Sequence, residues 1–520
     1  MAQELRSINL VAPAFKGINT EDSPLAQDPS FAEIADNAVI DKRGRIAARK
    51  GHEVITTDRS ELFNTTPDPD VYEPLRAIKT FRDDAGNTKV FSAGNNKILS
   101  GTTTLVDETP AAYTITSNNW KMVNFNDRIY MFQRGYEPLV YDNTSGAVEA
   151  MSNHTNSNGV TSAIYGNEVL AAYGRLWTAD FTNNKSTIYW SDLLNGIHWS
   201  GGTSGSIDIS KVWPDGYDEI VALAAHNNLL IIFGQHSIVV YEGATSPASM
   251  TLSDTVAGVG CVDRDTVQYT GTDVIFLSQT GLKSFGRTIQ EKSMPISSLS
   301  KTITKDIISL LQNESQFYRS VYNPEENFYL LTFVGQETTF CFDIRGTLED
   351  GSYRVTRWPG SVFTAYETRR DGKLYIGTTN GISEYKGYSD NGTRYRFKYF
   401  SPSLTFGAPS RLKILKKIKP TLVGANSATV FMKFAYDFGT SFSTTEFTVG
   451  NQQPAFYNVN EFGENSNPLS EFTGGELTNQ RSLNAVGSGT SVVVGLESDI
   501  NGFALSLQEI NLLALIGKTL

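Results

Sequence analysis

The sequence predicts an all-β protein: a β-propeller of six to eight blades, with seven favoured, and an additional β-sandwich-like platform. Three observations predict it. A strand–turn–strand unit recurs through the middle of the chain. Asn- and Gly-rich pairs punctuate the recurrence. Aromatic residues make up 11% of the chain and charged residues only 19%, with 44 glycines, the balance of a folded, turn-rich β protein and not a disordered one. Length alone, 520 residues, would suggest about three domains, but repeated units break that count.

Taken in chain order, the N-terminal part contains "ADNAVIDKRGRIAARKG" (35–51), two short strands around a turn at Lys42-Arg43-Gly44. The repeat then appears in seven windows, at 86–101, 126–143, 173–192, 227–244, 271–288, 325–344 and 371–388. Their starts are spaced by roughly 40 to 54 residues, the size of a four-stranded blade. Asn-Asn, Asp-Gly and Gly-Asn pairs supply the positive-φ or Asx turns that tight hairpins need. A propeller leaves only short protected edges, which keeps such a strand-rich chain from pairing with others. One segment breaks the pattern. In "SSLSKTITKDIISLLQN" (297–313), Leu299, Ile303, Ile307, Leu310 and Leu311 share one helical face, so a single helix laid over the propeller is expected. Its polar face has only Lys301 and Lys305, too few for a membrane-surface helix. After about residue 395 the strands lengthen, a polar loop is expected near 458–480, and the chain closes on two strands, "GFALSLQEI" and "NLLALIGKTL". The expected domains are therefore an N-terminal arm and hairpin (1–60) joining the platform, the propeller (61–395), and the C-terminal platform (396–520). Termini close in space would fit a ring fold.

Composition narrows the function. The longest apolar runs, such as "LLIIF" at 229–233, are strand length, so no membrane-spanning segment is expected. The start "MAQELRSINL" lacks the charged and apolar regions of a secretory signal. Cys261 and Cys341 sit in apolar strand-like contexts and read as buried free thiols. A formal charge of −11 argues against a chain built to grip nucleic acid, though not against one lining a passage for it.

The stretch "IYWSDLLNGIHWSGG" (188–202) carries Ser191, Asp192, Gly196 and Trp199 in an arrangement that resembles the Asp-box turn of sialidases. A sialidase also needs further Asp boxes, an arginine cluster for the sugar carboxylate, a tyrosine nucleophile paired with a glutamate, and an acidic proton donor. The sequence displays neither a second Asp box nor an arginine cluster. Asp and Ser at such a turn satisfy its backbone donors, so these four residues read as a structural turn clip and not a catalytic site. No glycosidase carboxylate pair can be picked out from 55 acidic residues without geometry. The five histidines, His52, His154, His198, His226 and His236, are scattered without metal-site spacing. "YSDNGTRY" (388–395) lacks the downstream glutamate of a calcium loop. "AGVGCVDRD" (257–265) lacks the Lys-Ser/Thr of a phosphate loop, and "GGTSGS" (201–206) lacks nucleophile-elbow spacing. No catalytic residue, cofactor or metal is expected. The one charge cluster, Arg411, Lys413, Lys416, Lys417 and Lys419, alternates only partly with Leu412, Ile414, Leu415 and Ile418. Its plain reading is a solvated strand face. Its functional reading is a docking patch for an acidic neighbour or DNA phosphates.

Four stretches together resemble a known family. "FKGINTEDSPLAQDPSFAEIADNAVIDKRGRIAARKGHEVI" (15–55) resembles the opening of phage tail proteins with a Gly-Ile/Leu-Asn … Asn-Val … Gly-x-Ile … Arg-x-Gly run. "YWSDLLNGIHW" (189–199) resembles their Tyr-Ser-Asp … Trp turn. "AGVGCVDRDTVQYTGTDVIFLSQTGLKSF" (257–285) is similar to their Gly-rich lead into a blade. "YFSPSLTFGAPSRLKILKKIKPTLVG" (399–424) resembles the strand pair after their propeller. In that order the stretches resemble the tail nozzle, or tail hub and packaged-DNA stabilisation, proteins of short-tailed bacteriophages.

The resemblance implies a structural virion protein of the tail, made in the host cytoplasm and without catalytic residues. It implies a homohexameric ring of propellers below the portal and adaptor, the head-to-tail connector. Further implied partners are a tail plug or needle and spikes or fibres, with double-stranded DNA passing through the channel without sequence specificity. Six copies would carry six times the formal charge of −11, which suits a channel that does not hold DNA. The alternative is a β-propeller glycosidase or lectin acting on bacterial surface polysaccharide. A tail fibre fits less well, because the trimeric coiled-coil or β-helical repeats of fibres are missing.

Overall fold

Which residues form blades follows from which strands are apolar on both faces. In the computed structural model, which describes residues 4–11, 14–64, 71–291, 298–313, 317–424, 428–449 and 478–519, the chain divides into two compact units. One comprises Val54–Thr338 and Ser361–Tyr385, the other Met1–Glu53, Thr339–Gly360 and Lys386–Leu520.

The first unit is the propeller. Four successive four-stranded antiparallel sheets open it, with first strands Ala77–Arg82, Lys121–Phe125, Glu168–Ala172 and Ile220–His226. A three-stranded sheet follows, Gln268–Tyr269, Val274–Ser278 and Gly281–Ser284, then the hairpin Tyr318–Asn323 and Phe328–Phe333. The last sheet of the unit contains Ala365–Thr368, Leu374–Thr378 and Gly381–Tyr385. Six blade-like sheets thus form the ring, one fewer than the seven the repeats favoured, and the hairpin takes an inner place between the fifth and the sixth. First strands neighbour one another in sequence, and Ala365–Thr368 returns beside Ala77–Arg82.

Each of the seven repeat windows supplies the second and third strands of its sheet, as in Arg128–Phe132 and Leu139–Asp142. Those strands are buried on both faces. Along Leu230–Phe233, Leu230 and Ile232 enter the core shared with the third blade, while Ile231 and Phe233 enter the core shared with the fifth. Ile129 and Met131 likewise pack toward the first blade, and Tyr130 and Phe132 toward the third. A strand in this position reads as a continuous apolar run and not as an alternation. Each such Leu, Ile or Phe contributes roughly 1.5–3 kcal/mol of burial, so blade-to-blade packing outweighs any single hydrogen bond. The hairpins turn through paired positive-φ residues, Asn95-Asn96, Asn126-Asp127 and Asn227-Asn228, the geometry of type I′ turns.

The fifth blade gives up its fourth strand. After Gly281–Ser284 the chain enters the short helix Phe285–Gln290, whose first turn is capped by the Ser284 hydroxyl accepting from the Arg287 N–H. The predicted helix is present as Thr304–Asn313 after a 3₁₀ turn at Lys301–Ile303. Leu299, Ile303 and Ile307 are buried, while Leu310 and Leu311 are half-buried. Cys261 and Cys341 are both free and buried, and burial pushes the Cys261 thiol up to about 12. No helix among the described residues is long and apolar enough to cross a membrane.

The second unit contains two sheets. In one, Arg411–Gly424 and Leu505–Thr519 pair antiparallel along their length, flanked by Glu4–Leu10, the hairpin Ala38–Ile40 with Ile46–Ala48, and Thr478–Gln480. The other carries, in order, Tyr353–Pro359, Ile34–Asp36, Tyr395–Phe400, Val492–Ile500, Thr429–Tyr436 and Ser443–Thr448. The N-terminal strands therefore complete the C-terminal sheets, around the turn at Lys42-Arg43-Gly44. There the Asp41 carboxylate accepts the Arg43 and Arg45 N–H groups at 2.8 and 3.0 Å. Two readings change. The terminal pair of strands is one strand, Leu505–Thr519, because the polar Asn511 side chain donates to Asn9 of the neighbouring strand and no turn forms. Residues 339–360 group with this second unit and not with the propeller. The polar loop read near 458–480 lies outside the described residues except for Thr478–Gln480, which is a strand.

The Asn227-Asn228 turn is exposed on both residues and tests the hairpin geometry. Asn228→Val is expected to lower unfolding free energy by about 1–2 kcal/mol through left-handed backbone strain. Asn228→Gly should stay within about 0.5 kcal/mol of the parent. Urea unfolding of the three proteins measures this.

Candidate functional site

The Asp192 turn begins where strand pairing in the third blade ends. Trp177 opposes Trp190, and the next residue, Ser191, continues the ladder by other means. Its N–H donates to the Leu176 carbonyl at 2.9 Å, and its hydroxyl accepts the Leu176 N–H at 3.0 Å. Asp192 Oδ1 accepts the Leu193 N–H (2.9 Å), the Thr203 N–H (2.9 Å) and the Thr203 hydroxyl (2.6 Å). The Thr203 hydroxyl first, then the Thr203 N–H, holds this carboxyl below the usual carboxylate range. Gly196 lies against a ring: a Cβ there would come 2.6 Å from Tyr130. Its carbonyl accepts the Trp199 indole N–H at 3.0 Å, and Trp199 is buried beside Phe132. The turn is a closed set of backbone caps and packed rings, with the Asp192 oxygen that does the capping already carrying three donors.

The basic run lies on the strand Arg411–Gly424, and its residues do not form one surface. Register shifts fall between Arg411 and Lys413 and again between Leu415 and Lys417. The second shift is a bulge that turns both Lys416 and Lys417 outward between buried Leu415 and Ile418. That is why the run alternates only partly. Arg411 is exposed and Lys419 half-buried. Lys413 corrects the predicted docking patch: it is 0% exposed, and its ammonium donates to the Ala408 and Thr490 carbonyls. Burial lowers its pKa, with Asp437 opposing. Lys413 is a structural clamp, and only Arg411, Lys416 and Lys417 remain fully outward.

The opening run at 15–55 is architectural, residue by residue. Gly17 has φ +95°, and a Cβ there would meet the Val355 nitrogen at 2.6 Å. Asn19 caps its own turn, its side-chain oxygen accepting the Glu21 and Asp22 N–H groups at 3.0 and 3.2 Å. Asn37, at φ +52°, donates to the Arg396 carbonyl at 2.9 Å and accepts the Arg49 Nε–H at 3.0 Å. Arg49 is 3% exposed and forks onto Asp390 at 2.8 and 2.6 Å. Its guanidinium also stacks 4.2 Å from the Tyr395 ring centroid. Such a bidentate, stacked pair uses what lysine lacks. Gly51 passes so close to Ser389 that a Cβ would overlap its carbonyl oxygen at 1.9 Å.

One charged constellation escapes a linear reading. Arg76, Lys121, Glu168, Arg264, Arg319 and Glu367 lie on or just before inner strands, and all but Glu168 line one cavity of about 310 Å³ in the propeller unit. Three arginines, spaced far apart in sequence, meet there; the absence of an arginine cluster inferred from the sequence is corrected. Arg319 is fully committed, donating to the Thr364, Tyr318 and Arg76 carbonyls, to Asn119 Oδ1, and at 3.0 Å to Asp265. Lys121 forks onto Glu168 at 2.6 and 2.7 Å. Glu168 is 0% exposed, and burial raises its carboxyl pKa against the pull of Lys121. Lys79 pairs with Glu367 at 3.0 Å. The only signal in the sequence was a charged residue at the start of an inner strand, where an outward-facing charge reads the same.

Asp192→Ala should lower stability by about 1 kcal/mol at neutral pH, as loss of an exposed cap does. A carboxyl with a lowered folded pKa contributes above its unfolded value near 4 and loses that contribution as pH falls through the folded value. The difference between parent and variant, followed by urea unfolding across pH, should therefore fade below about pH 4.

No family model matches the chain, and no curated protein matches it. Solved structures do. The extracellular domain of the one-component system BT4673 from B. thetaiotaomicron is 12% identical over 73% of this chain and 40% of its own, with a TM-score of 0.32. The WD40 β-propeller domain of Doa1 is 10% identical over 60% of this chain and 93% of its own, with a TM-score of 0.34. An auxiliary nutrient-binding protein from Bacteroides thetaiotaomicron is 11% identical over 65% of this chain and 76% of its own, with a TM-score of 0.34. The chain thus spans about two fifths of the BT4673 domain. The propeller assignment stands on the strand order described above.

Proposed function

We propose that this chain is a structural subunit of a short-tailed phage tail, forming the nozzle ring that continues the DNA channel below portal and adaptor. The observation that carries this reading is the ordered resemblance of residues 15–55, 189–199, 257–285 and 399–424 to that family. Two physical features support it. Residues 15–53 of the first stretch and the whole of the last, more than 340 residues apart, belong to one compact unit, and the motif residues in the first are spent on backbone caps and ion pairs. The turn that resembles an Asp box spends its polar groups the same way. In this reading the propeller is a stiff wedge, and the second unit presents Arg411, Lys416 and Lys417 to an acidic neighbour.

Negative-stain imaging of the purified chain, alone and with a portal–adaptor complex, tests the reading. Sixfold rings are expected in at least the second sample. Monomers in both, together with release of sugar from bacterial surface polysaccharide, would favour the glycosidase instead. Lys416→Glu combined with Lys417→Glu should weaken association with the adaptor by about tenfold at low salt, and less as salt rises.

A further inference from the structure

The axial cavity holds more positive charge than its carboxylates neutralise. Asp265 is shared between Arg319, at 3.0 Å, and Arg264, at 3.7 Å. Arg264 is 3% exposed; its Nη2 donates to the Asn119 carbonyl at 2.6 Å, but its Nη1 finds no acceptor among the described residues. An unsatisfied donor on a buried cation is costly unless something answers it. Arg76, half-buried on the same cavity, has no carboxylate within ion-pair distance among the described residues; its guanidinium lies 4.7 Å from the Phe317 ring centroid. Burial, then repulsion from Arg319, lowers its pKa against the attraction of Glu73. Arg76, with its donors unused, therefore borders one cavity of about 310 Å³ beside two further arginines.

We propose that this cavity binds a small oxyanion, a phosphate or a carboxylate group, held by the fork of Arg76 beside the buried charge of Arg264. Planar guanidinium forks match the paired oxygens of both groups. Arg319 holds Asp265 and Asn119 in place and adds positive potential without donating to the anion. The site is independent of ring assembly, so it stands or falls apart from the nozzle reading.

Isothermal titration of the full chain with inorganic phosphate and, separately, with glucuronate at fixed ionic strength tests it. Saturable binding of at least one is expected, weakened about tenfold or more by Arg76→Gln. Arg76→Lys should retain part of it, because a point charge replaces the fork. Without anion, Arg76→Gln should melt no lower than the parent, since it relieves a like-charge contact. If Arg76→Gln does not fold, weakening by Arg76→Lys alone supports the site. Binding of phosphate alone identifies a phosphoryl ligand, and of glucuronate alone an acidic sugar or other carboxylate. No saturation by either anion up to about 10 mM, or equal binding by parent and variants, overturns the proposal.

Discussion

The Thr56 hydroxyl accepts the Ile382 N–H at 2.9 Å and donates to the Thr102 carbonyl at 2.7 Å, so one buried side chain ties the last blade to the first. Around it, the Ile55 N–H donates to the Ile382 carbonyl at 2.9 Å and the Thr57 N–H to the Thr103 carbonyl at 2.7 Å. Leu62 and Leu75 pack with Val90 and Leu99 on one side and Ala365, Tyr375 and Ile382 on the other. Every other blade junction joins sequence neighbours. This one brings together residues more than 300 apart in the chain, so it carries the loop-closure cost of the whole ring. The blades can hold their inner strands, and hence the axial charges, in register only while this seam is shut.

Burial explains what could be read in the sequence. The second and third strands of each blade were legible because neighbouring blades cover both faces, leaving runs such as Leu229–Gly234. The first strands were not. Lys121–Phe125 and Ala77–Arg82 mix charged and apolar residues because one edge faces the polar axis, and Gln268–Tyr269 is only two residues long. The turn residues were legible for a local reason, since Asn pairs at positive φ are a property of the turn itself. The site was harder. Ser191, Asp192 and Trp199 lie within one turn and could be read together. Arg76, Arg264 and Arg319 converge only because the ring closes, and no spacing in the chain announces that. Lys413 shows the opposite failure. A lysine among lysines reads as surface, yet a bulge rotates Lys416 and Lys417 outward and leaves Lys413 inside.

The two units use charge differently. In the second unit, Arg49 and Asp390 form a neutral, bidentate, aromatic-backed pair that fixes the Asn37 turn to the strand Tyr395–Phe400. Arg49 and Arg396 hold Asn37 through its side chain from both sides. In the propeller, carboxylates are too few for the cations around the axis, and they are shared. A buried pair with matched charge specifies a fold; an unmatched set has capacity left for a ligand. The opening run thus reads as scaffold, while Arg76 does not.

Amide hydrogen exchange under native conditions measures the seam most directly. If closure by Thr56 holds the ring, the Ile55 and Ile382 amides should exchange only through global unfolding, as slowly as those of Ile231 and Ile232 in the fourth blade. Exchange at those two amides orders of magnitude faster than in the fourth blade, at unchanged global stability, would show that the ring opens at the seam and contradict the account.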